Sequence, residues 1–133
     1  MVTLNHAVKV RASRARTYKA LTELTEMAAW HVGSIEGEIA QGEVMTLLPK
    51  PGQRFGWRTE RLETDSKIVQ AAVEGSDTSP GKTLTFSLSD LEDGRTLVEL
   101  TDGEWREGDP NLPFCNAHWG EVLFRLKNYV EKA

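Results

Sequence analysis

LPFCNAHWGEVLFRLKNYVEK, residues 112–132, is the stretch on which the fold turns. Its apolar residues fall at Leu112, Cys115, Trp119, Val122, Leu123, Leu126, Tyr129 and Val130. Those steps of three and four gather side chains on one face of an α-helix. The opposite face reads Glu121, Arg125, Asn128 and Lys132, with Glu121 four residues ahead of Arg125, which adds a weak ion pair. Pro113 fixes the start of the helix, because Leu112 before it is disfavoured in the α region. A helix of about 20 residues is roughly 30 Å long, the width of a small domain. Burying its apolar stripe is worth on the order of 10–20 kcal/mol gross, before ordering entropy is subtracted. Such a stripe needs a large partner surface, and the chain ahead of it reads as a sheet.

That chain supplies one surface and little else. Its 133 residues are the usual size of one domain, residues 1–133, with a hydrophobic fraction of 39% and a charged fraction of 27%. The alternating, charged start from Val2 to Val10 is neither a secretory signal nor a transit peptide, and no run of 18 apolar residues predicts a membrane span. Cys115 is the only cysteine, which excludes an internal disulfide and leaves the cytoplasm as the expected location. The formal net charge is −4, with Asp90, Glu92, Asp93, Glu99, Asp102, Glu104, Glu107 and Asp109 crowding the second half. That argues against a nucleic-acid partner, whose phosphates need neutralising. Lys9, Arg11, Arg14, Arg16 and Lys19 form a local basic exception, read here as a solvated face.

Val2 to Val10 alternates as a strand, with Leu4, His6, Val8 and Val10 on one face. Ser13 is a fitting N-cap for a first helix over Arg14 to Leu24. Thr25 then caps a short second helix, Glu26 to Trp30, which Gly33 ends, making a helical elbow. From Ser34 onward the signal is β. Strands are expected at Ile35 to Ile39, Glu43 to Leu48, Arg54 to Glu63, Lys67 to Glu74, Lys82 to Ser89 and Arg95 to Asp102. Gln41-Gly42, Lys50-Pro51-Gly52 and Asp93-Gly94 supply turn chemistry, and residues 75–81 read as a polar loop. In the third of these strands Phe55, Trp57, Thr59 and Arg61 share a face, and Arg61 needs a bulge or a strand end to reach solvent. One sheet face is polar, so the prediction is an α+β fold: an antiparallel sheet of about seven strands, covered on one side by the terminal helix.

The order of elements and several local runs resemble the START-like, or SRPBCC, superfamily with its helix-grip fold. Within it the chain is most similar to the branch of activators of heat-shock protein 90 ATPase. The residues that carry this are Val8-Lys9-Val10, Thr17-Tyr18-Lys19-Ala20-Leu21-Thr22, Met27-Ala28-Ala29-Trp30, Trp119-Gly120-Glu121-Val122-Leu123, Leu126 and Tyr129-Val130-Glu131. The resemblance implies a curved sheet wrapped around the C-terminal helix, enclosing an elongated and mostly apolar cavity. It implies a small hydrophobic molecule as partner, and no cofactor. It also keeps open two alternatives, a cyclase- or dehydratase-like enzyme and a chaperone-associated interaction module. The eukaryotic activators carry a further N-terminal domain that engages the chaperone, and this sequence has no counterpart to it.

Candidate ligand contacts follow from the aromatic residues and histidines. Trp30, Trp57, Phe86, Trp105 and Trp119 are expected to meet where the helix crosses the sheet, either lining a gap or plugging it. His31 and His118 are candidates for orienting a polar end, and in the enzyme reading they serve as general acid–base. Three histidines with neither helical ligand spacing nor a HExxH motif predict no metal site. The sequence has no nucleophile elbow, paired carboxylates or phosphate loop, so no catalytic residue is assigned and a non-catalytic binding protein is the first expectation. Cys115 reads as a buried thiol and Asn116 as bonding the preceding loop. Phe124, opposite the buried stripe and beside Ala117 and Gly120, is a seed for a homodimer contact.

Overall fold

The computed structural model describes residues 1–31, 33–49, 51, 52, 54–74 and 82–132. The elements run β1 (Val2–Val10), α1 (Arg14–Thr22), α2 (Leu24–Trp30), β2 (Ser34–Gly37), β3 (Val44–Leu48), β4 (Phe55–Glu63), β5 (Lys67–Glu74), β6 (Thr83–Asp90), β7 (Thr96–Trp105) and α3 (Leu112–Val130). The seven strands form one antiparallel sheet in the order β1-β7-β6-β5-β4-β3-β2, curved around α3. This is the helix-grip α+β arrangement that the sequence predicts. The loop 75–81, and Lys50 of the expected Lys50-Pro51-Gly52 turn, lie outside the described residues.

The elbow forms much as its residues dictate. Ser13 caps α1, its Oγ accepting the Arg16 N–H at 3.0 Å. α2 begins at Leu24 rather than Glu26, so Thr25 lies inside it and caps nothing. Extended Glu23 joins the two helices directly: its N–H bonds the Lys19 carbonyl at 3.0 Å, and its own carbonyl accepts the Met27 N–H at 2.9 Å. His31, not Gly33, closes α2. Gly33 is needed one step later, at φ +77°, where a Cβ would lie 2.2 Å from the Leu48 carbonyl oxygen.

Two strands carry details that matter later: the bulge expected before Arg61, and a longer last strand. In β4 a register shift between Thr59 and Arg61 breaks the alternation. Trp57 and Thr59 stay buried while Arg61 turns out to solvent and pairs with Glu63 at 2.7 Å. β7 continues past Asp102 to Trp105, because it has a partner on each side: Val2 of β1 opposite Trp105, and Thr83 of β6 opposite Gly103. One buried position, Trp105, is thereby added.

α3 buries Trp119, Val122, Leu123, Leu126 and Val130 against the concave face, with Leu112, Cys115 and Tyr129 partly covered. Polar contacts pin it along β1. Asn116 Oδ1 meets His6 Nε2 at 2.8 Å, so this residue ties helix to strand and not to the preceding loop. Farther along, Lys127 Nζ donates to the Lys9 carbonyl at 3.0 Å and the Glu131 carboxylate accepts the Arg11 N–H at 2.9 Å. Glu26 joins all three helices: its carboxylate takes the guanidinium of Arg16 and, at 3.0 Å, the hydroxyl of Tyr129. Burial pushes this carboxyl up, but the hydrogen bonds from Arg16 and Tyr129 outweigh it and hold it below its usual 4.5.

Leu126 is fully buried at the centre of the stripe, so Leu126→Ala is expected to lower unfolding free energy by about 2–5 kcal/mol, read from the denaturant midpoint. A depressed carboxyl stabilises above its unfolded value, and that contribution is lost as pH falls through the folded value. Glu26→Gln is therefore expected to be less stable than the parent at pH 7, with the gap closing well below pH 4.5 in paired urea titrations.

Candidate functional site

Strand register carries an unexpected feature across the concave face. Thr59 of β4 stands opposite Gln70 of β5, Gln70 opposite Leu84 of β6, Leu84 opposite Asp102 of β7, and Asp102 opposite Leu4 of β1. One transverse row beneath α3 thus holds three polar residues, each almost wholly buried: Thr59 at 0%, Gln70 and Asp102 at 2%. Among the described residues, four buried side-chain atoms lack a hydrogen-bond partner: Thr59 Oγ1, Gln70 Nε2, Asp102 Oδ1 and Trp105 Nε1. Three of them belong to this row and the fourth lies three residues from Asp102. An unmet buried polar atom costs roughly 1–3 kcal/mol, so their concentration at one level calls for a partner.

Asp102 is the centre of the row. Its Oδ2 accepts the Trp119 indole N–H at 2.8 Å, the bond that joins α3 to β7, next to the β1 edge of the sheet. Burial raises its pKa above the ordinary carboxylate value, and the Trp119 bond, the Trp105 indole N–H, Lys82 and His6 offset this only in part. The Trp105 N–H acts in that direction without the geometry of a complete hydrogen bond. Lys82 is itself buried, its ammonium 4.1 Å from the centroid of the Trp105 ring. Cys115 is half-buried nearby. Burial first, then the charge of Asp102, pushes its thiol up to about 11, which removes it as a nucleophile near neutral pH.

The predicted ligand contacts are distributed unevenly. Trp30, His31, Trp57, Phe86 and Trp119 line one small cavity with Gln70, Leu84, Met27, Met45 and Leu47. Trp105 and His118 are not in its wall. Its volume is about 20 Å³, room for one water-sized group, so the aromatic residues nearly fill the trough that the resemblance describes as an elongated cavity. The polar edge of Trp30 is used inside the elbow, where Nε1 donates to the Ala20 carbonyl at 3.0 Å. Four rings run in sequence along the seam between α2 and α3: Trp30 to His31 at 5.2 Å, His31 to His118 at 6.3 Å, His118 to Trp119 at 5.6 Å. Burial lowers the His118 pKa, with Glu121 acting against it. No group of three or more His, Cys, Asp or Glu converges to hold a metal ion among the described residues.

Sequence reading placed Thr59 on the inner face but assigned nothing to it, and it passed over Gln70, Lys82 and Asp102. The signal was present: each is a polar residue in the inward phase of its strand, two positions from a buried apolar one.

With this geometry in hand, the comparisons are consistent. Residues 11–131 match the family described as activator of Hsp90 ATPase homolog 1-like protein. The chain belongs to that family. No curated protein matches it in sequence. Among solved structures it is similar to the Aha1 dimer from Colwellia psychrerythraea, at 25% identity and a TM-score of 0.90, covering 99% of this chain and 98% of that one. MLL2253 from Mesorhizobium loti gives 12% identity and a TM-score of 0.86 over 99% and 98% of the two chains. CalU16 from Micromonospora echinospora gives 17% and 0.80 over 98% and 76%. The last two, at these identities, share the fold alone. No helix among the described residues is long and apolar enough to cross a membrane.

Trp119→Phe removes the bond to Asp102 and leaves both carboxylate oxygens unmet. The expected loss at pH 7 is about 2–3 kcal/mol. A carboxyl raised by burial is costly only while ionised, so the loss is expected to shrink as pH falls and Asp102 protonates, which urea titrations across acid pH would check.

Proposed function

We propose that this protein is a non-catalytic binder of a small, largely apolar molecule carrying hydroxyl or carbonyl groups, held between α3 and the concave face. The observation that supports this most is the row of unmet polar atoms. Asp102 Oδ1 wants a donor, Gln70 Nε2 and Trp105 Nε1 want acceptors, and the Thr59 hydroxyl can serve as either. Thr59 and Gln70 sit on neighbouring strands, and Asp102 lies two strands beyond Gln70, about 10 Å away at the spacing of a sheet. A flat ring system with oxygens at both ends matches that separation. Trp30, Trp57, Phe86 and Trp119 supply the apolar contact, with His31 at the elbow; Trp105 and His118 flank it from outside the cavity wall.

The trough holds space for one water-sized group, so the ligand enters by displacing side chains. Met27 and Met45 in the cavity wall suit that, since a thioether side chain re-packs around irregular shapes without backbone movement. We further propose that the chain forms a homodimer. The dimeric chain from Colwellia psychrerythraea supports this, as do Phe114 and Phe124, the two exposed aromatic residues among those described, both on α3.

The four tryptophans, all buried around the trough, report on binding by fluorescence. Titration with 2-naphthol and naphthalene is expected to show saturable change with the alcohol, bound at least about tenfold tighter, because a site with unmet polar groups discriminates against a partner that cannot satisfy them. Asp102→Asn, which exchanges an unmet acceptor for a donor, is expected to narrow that difference. Absence of saturable change with either compound would overturn the reading.

A further inference from the structure

The outward face of α3 has a pattern of its own. Phe114, Ala117, Glu121 and Phe124 follow one another at steps of three, four and three, the spacing of the seam along which two helices pack. All four are exposed, Phe114 at 76% and Phe124 at 60%, on the side of α3 away from the buried stripe. The order along the seam is large, small, polar, large. Reversed, it matches itself in size at both ends: a second helix laid antiparallel sets Phe114 against Phe124, and Ala117 against Glu121, twice over.

We infer that the outward face of α3 is the dimer interface, two copies packing antiparallel about a twofold axis between Ala117 and Glu121. This rests on the homodimer reading above, and it names the surface. A twofold contact requires a patch that complements itself, and this one does so residue by residue. In the two central layers Ala117 leaves room for the aliphatic stem of Glu121 from the second copy. The carboxylate then stays at the rim near Arg125, which pairs with Glu121 at 3.6 Å within each helix. Gly120, one position beside the seam, has open space where a Cβ would stand, so the backbones can approach closely there. Phe114 and Phe124 expose 76% and 60% of their surface, roughly 200 Å² each when free, so four rings newly bury on the order of 550 Å². With the smaller residues between them, the contact stays below the roughly 1,200 Å² at which specific interfaces begin. The dimer is accordingly weak and concentration-dependent.

Sedimentation of the full chain over a wide concentration range, together with disulfide trapping in a Cys115→Ser background, tests both layers. The parent chain is expected to dimerise, and Phe124→Glu to raise the dissociation constant by at least about tenfold. Because α3 ends in the same buried packing in this variant, unchanged thermal unfolding would show that the fold survives. In an oxidised equimolar mixture, Ala117→Cys and Glu121→Cys chains are expected to cross-link to each other, with the mixed product identified by mass. Phe114→Cys chains alone are expected to stay unlinked, since those positions lie about 15 Å apart along the axis. A monomer at every concentration overturns the homodimer reading itself. A dimer that keeps its affinity in Phe124→Glu, or that links Phe114→Cys to itself, overturns the assignment of this surface while the dimer stands.

Discussion

The hydrogen bond from Trp119 to Asp102 reconciles two demands that oppose each other. α3 must bury a wide apolar stripe, and the sheet beneath it presents a row with three polar residues, on β4, β5 and β7. A carboxylate in that position is expensive to desolvate. Indole is the side chain that resolves the conflict, because one end of the ring packs with Val122 and Leu123 while its N–H reaches the acid. Take it away and the helix covers an unpaired charge. The surrounding cations and donors, Lys82, His6 and Trp105, moderate that charge without neutralising it.

The fold was legible in the sequence because its signals are periodic and mutually consistent. The stripe from Leu112 to Val130 has one phase throughout, and the strands from β1 to β7 alternate cleanly enough that seven of them, and the elbow, could be placed. Errors fell where local sequence does not decide. Thr25 looked like a cap, but extended Glu23 already supplies the carbonyl and N–H that end one helix and start the next. β7 outran its expected end because pairing on both sides, not propensity, determines how far a central strand continues.

The candidate site was legible only in part, for a related reason. Aromatic residues announce themselves singly, so Trp30, Trp57, Phe86 and Trp119 could be nominated from the sequence. Thr59, Gln70 and Asp102 become a group only once register aligns four strands, β4 to β7, and register between distant strands is not written in any one of them. The bulge before Arg61 was legible, by contrast: a lone guanidinium on an apolar face needs an exit, and the register shift in β4 supplies it. Spacing could not tell whether the tryptophans line a hollow or fill it. That depends on how closely the sheet curves around the helix, and here it leaves about 20 Å³.

The distribution of polar ties says which wall of the trough yields first in the proposed binding. α3 is held at four points along its length, by Asn116, Trp119, Lys127 and Glu131, so lifting it breaks four hydrogen bonds, of which the one from Trp119 to Asp102 is buried and the costliest to lose. The opposite wall, toward β2 and β3, is built from Met27, Ile39, Met45 and Leu47, whose contacts are dispersion and apolar burial with no directional requirement. Such contacts can be exchanged for contacts with a guest of similar polarity at little net cost, whereas a broken buried hydrogen bond is replaced only by a guest with the right group in the right place. In the proposed binding, guest and protein would therefore meet on different terms at the two sides: adaptable packing at the methionines would admit a range of ring shapes, and the row at Thr59, Gln70 and Asp102 would select among them. With α3 seated in this way, its outward face would keep its geometry whether or not the trough is filled, and the proposed association of two copies through Phe114 and Phe124 would not depend on what either one holds.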